Sequence, residues 1–218
     1  MSNFRMVVLS DTHLQQYDMK IPDGDILIHA GDFSMRADIK DTFKFFEWMR
    51  DQPHKYKLIV PGNHDVYCAE NMSQCKMLAY PMIFDDAGVY DIGSYRFLLY
   101  SWTPAPHSQS RWKFHPEYGD DEFFRRFWEF APRCDVLVTH GPPKGILDKV
   151  NRTYLGEDSN VGEWHMLKYI ERNIPIVHVF GHIHEGYGEF SNGPTTFYNA
   201  SNCNVDYKAN NPITIIDI

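Results

Sequence analysis

The sequence predicts an α/β fold in which two mixed β-sheets pack as a sandwich flanked by helices. Three observations point there. Short β-branched or apolar runs recur along the chain and stop abruptly at a polar residue beside a glycine. Helical spacings of apolar residues separate several of these runs, and a middle section alternates apolar and polar residues between turn signals. Continuous apolar runs of four to six residues suit strands buried on both faces.

Taken in order, MVVLS leads into DTH, and DILIHA leads into GDF. Ile39, Phe43, Phe46 and Met49 then fall at helical spacing and predict a helix with an aromatic, core-facing stripe. KLIV leads into PGNHD. MIFDDAGVYDIGSYRFLLYSW carries the alternation and turn residues of antiparallel hairpins. Phe123, Phe127 and Phe130 mark a second helix, DVLV leads into THGPP, and GEWHMLKYIERN predicts a third helix. PIVHVF leads into GHIH, and GPTTFYNAS and NPITIIDI supply late strands. Repeats, low-complexity stretches and linkers are absent from the sequence, so residues 1–218 are expected to form a single domain.

Composition narrows the function. The net charge is −8, with no run rich in lysine or arginine, whereas gripping nucleic acid through its phosphates takes clustered cations. A stable nucleic-acid complex is therefore not expected. A small anionic substrate stays open, because a local metal charge can outweigh the global balance. Cys68, Cys75, Cys134 and Cys203 have neither CxxC spacing nor the density of a disulfide framework and read as reduced thiols. The apolar run in MSNFRMVVLSD is too short for a secretory signal, and no stretch approaches the roughly 18 apolar residues of a membrane span. The expectation is a cytoplasmic protein without membrane partners; oligomeric state is not legible.

In open α/β sheets the ligand site lies beyond the carboxyl ends of the strands. Five such ends would deliver Asp11, His13, Asp32, Asn63, His140, His182 and His184 to one rim. Residues at i and i+2 of an extended segment point the same way, so Asp11 with His13, and His182 with His184, could each converge on one object. Gly31, Gly62, Gly141 and Gly181 stand beside these residues, where the lack of a Cβ permits sharp turns and close approach. Two carboxylates, four imidazoles and an amide oxygen are too many ligands for one metal and about right for two. The mixture suits manganese, iron or zinc better than calcium or copper.

The order D-x-H, GD, GNHD, TH-G, GHIH, running from Asp11 to His184, resembles the calcineurin-like metallophosphoesterases. GDILIHAGDF, DVLVTHGPPKGILD, HVFGHIHEGYG and NASNC extend the likeness to the small subfamily of metallophosphoesterase-domain proteins, a class III phosphodiesterase-like group. The resemblance implies an αββα metallophosphoesterase fold with two divalent metal ions, manganese foremost. Asp11, His13 and His184 would hold one ion, Asn63, His140 and His182 the other, and Asp32 would bridge them. It further implies hydrolysis of small phosphodiesters, cyclic nucleotides among them, by attack of a metal-bridging hydroxide. His64 would donate a proton to the leaving group, and Asp65 would orient its imidazole and keep it protonated. Two departures are visible. Close relatives often carry Glu at the position of Asp65, and some mammalian members lack the first histidine of GHIH, present here as His182.

The alternative activity is that of a phosphomonoesterase or protein phosphatase, although FSMRAD after Gly31-Asp32 departs from the GD-x-x-DRG signature of Ser/Thr phosphatases. Some members of the superfamily serve as interaction scaffolds, but those tend to lose ligands that this chain keeps.

Other polar residues receive quieter readings. His29 and His178 lie inside apolar strands and are expected to be hydrogen-bonded core histidines; His54, His107, His115 and His165 are expected at the surface. In YSWTPAPHSQSRWKF, Trp102, Arg111 and Trp112 could wall a base or sugar, though such aromatic loops usually pack inward. Lys144 and Arg152 read as solvated cations near the site, and Asn199 and Ser201 as partners that could orient the ligands.

Overall fold

The computed structural model describes residues 4–35, 38–107, 110, 112–151 and 159–218. The first sheet has five strands: β1 (Arg5–Leu9), β2 (Ile26–His29), β3 (Tyr56–Ile59), β4 (Ile83–Phe84) and β11 (Thr214–Asp217), in the order β11-β1-β2-β3-β4. The second has six: β5 (Ala87–Ile92), β6 (Tyr95–Tyr100), β7 (Val136–Thr139), β8 (Val177–Phe180), β9 (Gly188–Ser191) and β10 (Thr196–Asn199), in the order β5-β6-β7-β8-β10-β9. The central strands run parallel; β11 at one margin of the first sheet and β5 and β9 at both margins of the second are antiparallel, as the mixed-sheet expectation requires.

Period-two side-chain alternation builds three cores from these strands. Met6, Val8, Ile26, Ile28 and Leu58 meet Phe97, Leu99, Val136, Val138, Val177 and Val179 between the sheets. The opposite residues of the first sheet, Val7, Leu9, Leu27 and Ile59, pack on three helices: α1 (Ile39–Asp51), α2 (Val66–Glu70) and α3 (Met72–Ala79). Leu98, Tyr100, Leu137, Phe180 and Phe197 face α4 (Asp121–Phe130) and α5 (Trp164–Asn173). The result is helix, sheet, sheet, helix.

Some expectations need correcting in detail. Only β5 and β6 form the hairpin expected in the middle section, turning at Gly93 with φ 62°. β4 pairs parallel with β3 in the other sheet. On α1 the buried face is Thr42, Phe45, Phe46 and Met49, and Ile39 at its start is 40% exposed. On α4 the buried pair is Phe124 and Trp128, while Phe130 is 80% exposed. No helix among the described residues is long and apolar enough to cross a membrane. All four cysteines are buried free thiols.

Candidate metal centre

Each sequence-predicted ligand follows a parallel strand. Asp11 and His13 follow β1, Asp32 follows β2, Asn63 follows β3, His140 follows β7, and His182 and His184 follow β8. The first four residues therefore come from one sheet and the last three from the other. Asp11, His13 and His184 form one compact group and Asp32, His140 and His182 a second, with the ligand atoms of each within 4.8 Å of one another. Asn63 joins the second group through Oδ1, 2.9 Å from His140 Nε2. Asp32 Oδ2 lies 3.4 Å from His140 Nε2 and 4.0 Å from His13 Nε2, so one oxygen faces both groups.

Backbone conformation aims these side chains. Asp11, His13, Asp32 and His182 have φ of 51°, 44°, 58° and 69°, in the left-handed region that residues with a Cβ avoid. Strain of that kind costs on the order of 1–3 kcal/mol per residue and persists only where surrounding structure over-determines it. Two glycines make room for the close approach. A Cβ on Gly62 would fall 2.2 Å from Asp32 Oδ1, and one on Gly181 would fall 2.1 Å from Asp11 Oδ2.

The histidines are fixed by their second nitrogen. His140 Nδ1 donates to the Ala30 carbonyl at 2.8 Å, His184 Nδ1 to the Asn204 carbonyl at 2.9 Å, and His13 Nδ1 lies 3.3 Å from the Ser34 carbonyl. Each arrangement presents Nε2 to the centre as a ligand nitrogen. Asp11 Oδ2 accepts from the His182 N–H and from Ser201 Oγ, at 2.8 and 2.9 Å. Its Oδ1 is buried without a hydrogen-bond partner and lies 3.4 Å from His184 Nε2. A buried carboxylate oxygen with no donor is costly unless a cation completes it. The donor set of carboxylates, imidazoles and one amide oxygen fits divalent manganese, iron or zinc at each group.

The charges are strongly coupled. Burial alone would push Asp11 and Asp32 up, yet neighbouring imidazoles hold both below the usual carboxylate range. Burial alone would lower His140 and His184. Asp32 holds His140 up at about 9, and Asp11 holds His184 up at about 8. His182, without such a partner, falls to about 3 through burial and the nearby His140 charge. Protons thus gather where cations would sit.

Several expectations change here. His182 and His184 do not converge on one object: His182 is left-handed and His184 opens a short 3-10 turn, so the segment is not extended and each ring joins a different group. Asp65 does not hold the His64 imidazole. Its carboxylate accepts from the N–H groups of Asp32, Ser34 and Gly62 and from Ser34 Oγ, at 2.8 to 2.9 Å. His64 Nδ1 instead lies 3.5 Å from the Met35 carbonyl. Trp102 packs on Phe123 and Phe114, with Nε1 donating to Asp86, and does not line the centre. Trp112 does, with its ring 5.4 Å from that of His182. Lys144 turns to the Asn160 carbonyl. Arg111 and Arg152 lie outside the described residues. His54 is buried, 3% exposed, and faces the Pro22 carbonyl.

The core histidines behave as expected and gain a purpose. His29 Nε2 lies 3.0 Å from Thr12 Oγ1, between Asp11 and His13, and His178 Nε2 lies 2.8 Å from Thr139 Oγ1, just before His140. Burial lowers both to about 3, so each serves as a neutral prop for a ligand-bearing segment. Ser201 bonds Asp11 directly, and Asn199 Nδ2 donates to the Ile183 carbonyl between the two histidines, which bears out the orienting role expected of the pair.

Sequence reasoning missed Ser34 and Tyr207. The Tyr207 ring lies 4.8 Å from that of His13 and 5.3 Å from that of His184. Its only sequence signal is the polar, Asn-rich turn stretch that follows NAS.

Residues 4–186 match the family described as calcineurin-like phosphoesterase. The chain is 34% identical over 240 residues to human metallophosphoesterase domain-containing protein 1, covering 98% of this chain and 71% of that one. It is 36% identical over 217 residues to UPF0046 protein K07C11.7 of Caenorhabditis elegans, covering 92% and 70%. Among solved structures, phosphopantetheinyl hydrolase from Mycobacterium tuberculosis shares the fold, with TM-score 0.58 and 14% identity over 94% of this chain and 92% of that one. A sequence match over most of the chain, a shared fold and two metal-ligand groups at the strand ends agree: the chain belongs to the calcineurin-like phosphoesterase family, in the small group that includes the metallophosphoesterase domain-containing proteins.

Proposed function

We propose that the chain is a metal-dependent phosphodiesterase acting on small phosphodiesters, with cyclic nucleotides among the candidate substrates. The observation that carries this reading is the pair of ligand groups meeting at Asp32 Oδ2. Asp11, His13 and His184 would hold one divalent ion, Asn63, His140 and His182 the other, and Asp32 would touch both. Bound there, the ions supply Lewis acidity toward phosphate oxygens and acidify water near neutral pH.

The chain's own residues supply the rest. The described walls of the pocket carry Trp112, Val150, Ile183, Val205 and Tyr207, with Glu185 as a carboxylate at the rim. Such walls suit the esterified arms of a diester better than the additional ionised oxygen of a monoester. His64 lines the same pocket, and its N–H donates to Asp32 Oδ1 at 2.7 Å. The backbone is thereby fixed while the ring stands over the substrate space, positioned to donate a proton to a departing alkoxide. The buried thiols support a reducing, cytoplasmic setting.

The deciding assay compares matched aryl diester and monoester substrates, using metal-free protein reconstituted separately with manganese, iron or zinc. A higher kcat/KM on the diester supports the reading; a clear monoester preference replaces it with phosphomonoesterase. Asp32→Ala should lower both metal content and rate more than loss of any one histidine, since Asp32 alone faces both groups.

A further inference from the structure

Two aromatic rings line the pocket over the two groups, one beside each group. Trp112, in the segment between β6 and α4, sets its ring edge-on to His182 at 5.4 Å and lies 6.1 Å from His64. Tyr207, in the segment between β10 and β11, lies against His13 and His184 and 6.3 Å from His64. His13 and His184 belong to the first ligand group and His182 to the second. Each group therefore has its own aromatic shelf, and His64 lies at nearly equal distances from both rings. Both rings line a cavity of about 380 Å³, within the range of small-molecule sites.

Packing alone is a weaker account of these rings. Trp102 shows what packing looks like in this protein, sandwiched against Phe114 and Phe123. Tyr207 keeps 42% of its surface exposed while its backbone is held at φ 57° and its carbonyl accepts from Gln15 Nε2. A partly open ring on a strained, tethered backbone is placed for something outside the core. Trp112 is likewise only half-buried, and Val150 and Val205 add apolar surface along the wall.

A phosphodiester sends two esterified arms away from one phosphorus. With a phosphate over the two groups, one arm would lie beside Trp112 and the other beside Tyr207. Hydrolysis adds water to phosphorus and breaks one P–O ester bond. The departing oxygen takes a proton, leaving an alcohol and a monoester. We propose that Trp112 and Tyr207 are specificity-determining residues that stack the two arms, so that the site selects diesters bearing a planar ring, a nucleobase or an aryl group, on each side. This rests on the phosphodiesterase reading and narrows it to open diesters, since the two ester oxygens of a cyclic nucleotide share one sugar and one base. Stacking of a base on an aromatic side chain contributes roughly 5- to 150-fold per ring.

The test holds the leaving group constant. Manganese-loaded protein is assayed on bis(p-nitrophenyl) phosphate, methyl p-nitrophenyl phosphate and p-nitrophenyl phosphate. The two-ring diester should exceed the one-ring diester in kcat/KM by about tenfold or more, within the stacking range. Of Trp112→Leu and Tyr207→Leu, which stay apolar but lose the plane, the one under the non-leaving arm should collapse that ratio and the one under the leaving arm should lower kcat/KM on both diesters together; Trp112→Phe and Tyr207→Phe should do neither. Calorimetric binding of dibenzyl phosphinate against dimethyl phosphinate, neither of which has an ester bond to cleave, should follow the same order. Equal rates on the two diesters, or a preference that survives both leucine variants, overturns the proposal. Cleavage of the monoester alone overturns the diester reading instead, and ring-dependent phosphinate binding lost in the leucine variants would still support the shelves.

Discussion

Asp65 and His64 are adjacent in sequence, yet the fold gives them separate tasks. The Asp65 carboxylate gathers three backbone N–H groups and a hydroxyl from two neighbouring loops, which fixes Asp32 and Gly62 relative to each other. Burial and the Asp32 charge push its carboxyl up to about 7, against the pull of those bonds. Asp65→Asn would turn an NH2 toward donors, leaving buried N–H groups without an acceptor at about 1–3 kcal/mol each. The variant should melt earlier and bind metal more weakly. His64→Ala should do neither. Its loss should fall on catalysis, by about 10² to 10⁴ on alkyl or ribosyl diesters, and far less on nitrophenyl esters, whose leaving group departs without a proton. Equal losses on both substrate types would remove the proton-donor role, and loss of metal would make His64 a ligand. The seven ligand candidates were legible because each stands where an apolar run stops beside a glycine or another ligand. The work of Asp65 was not, because Asp32 and Ser34 lie more than 30 positions away along the chain. Tyr207 was hidden for a similar reason, since proximity to His13 arises only when the Asn-rich turn folds back over β1's end.

Among the elements, the buried strands were readable because both faces are apolar, and a continuous run needs no partner to announce it. β9 has mostly exposed residues at a sheet margin, so its sequence offers no apolar period at all. β4 was misjudged because two residues cannot show a period, and pairing with β3 is a tertiary choice. The helical stripes drifted by a residue for a comparable reason: the end of a helix leaves the layer it covers, as Ile39 and Phe130 do. The start of α5 carries a prediction. Glu163 is 3% exposed and accepts from the N–H groups of His165 and Met166. Burial pushes its carboxyl up from 4.5 to about 7. A raised carboxyl binds its proton more tightly in the folded chain, so its contribution is present below about pH 4.5 and is lost as pH rises through about 7. Glu163→Gln removes this titration while keeping one acceptor. Relative to wild type, the variant should gain stability from pH 5 to 8, by at most about 3 kcal/mol. Denaturant melts at both pH values check it; a difference that stays constant with pH contradicts it.

At the scale of the whole molecule, the two sheets share a core between them and meet again at the ligand rim. Asp11, His13, Asp32 and Asn63 come from one sheet, His140, His182 and His184 from the other. Each candidate ion would therefore be ligated from both layers. Binding that requires the folded arrangement stabilises by mass action, about 2.7 kcal/mol for one site at a hundred times Kd. For a chain of this size that raises Tm by roughly 5–10 °C. The increment should also depend on pH. Asp32 and Asp11 hold His140 near 9 and His184 near 8 despite burial, so at pH 7 an entering cation must displace their protons. Those protons stabilise the metal-free fold below the ordinary histidine value of 6.5, and their contribution fades as pH rises through 8 and 9. Both effects act in one direction: the Tm gap between manganese-loaded and chelator-treated protein should widen from pH 6 to pH 9. Calorimetry in buffers of different ionisation enthalpy should count protons released on binding at pH 7. A gap that narrows with rising pH, or binding that releases none, would show that the two sheets do not share their charges through these histidines.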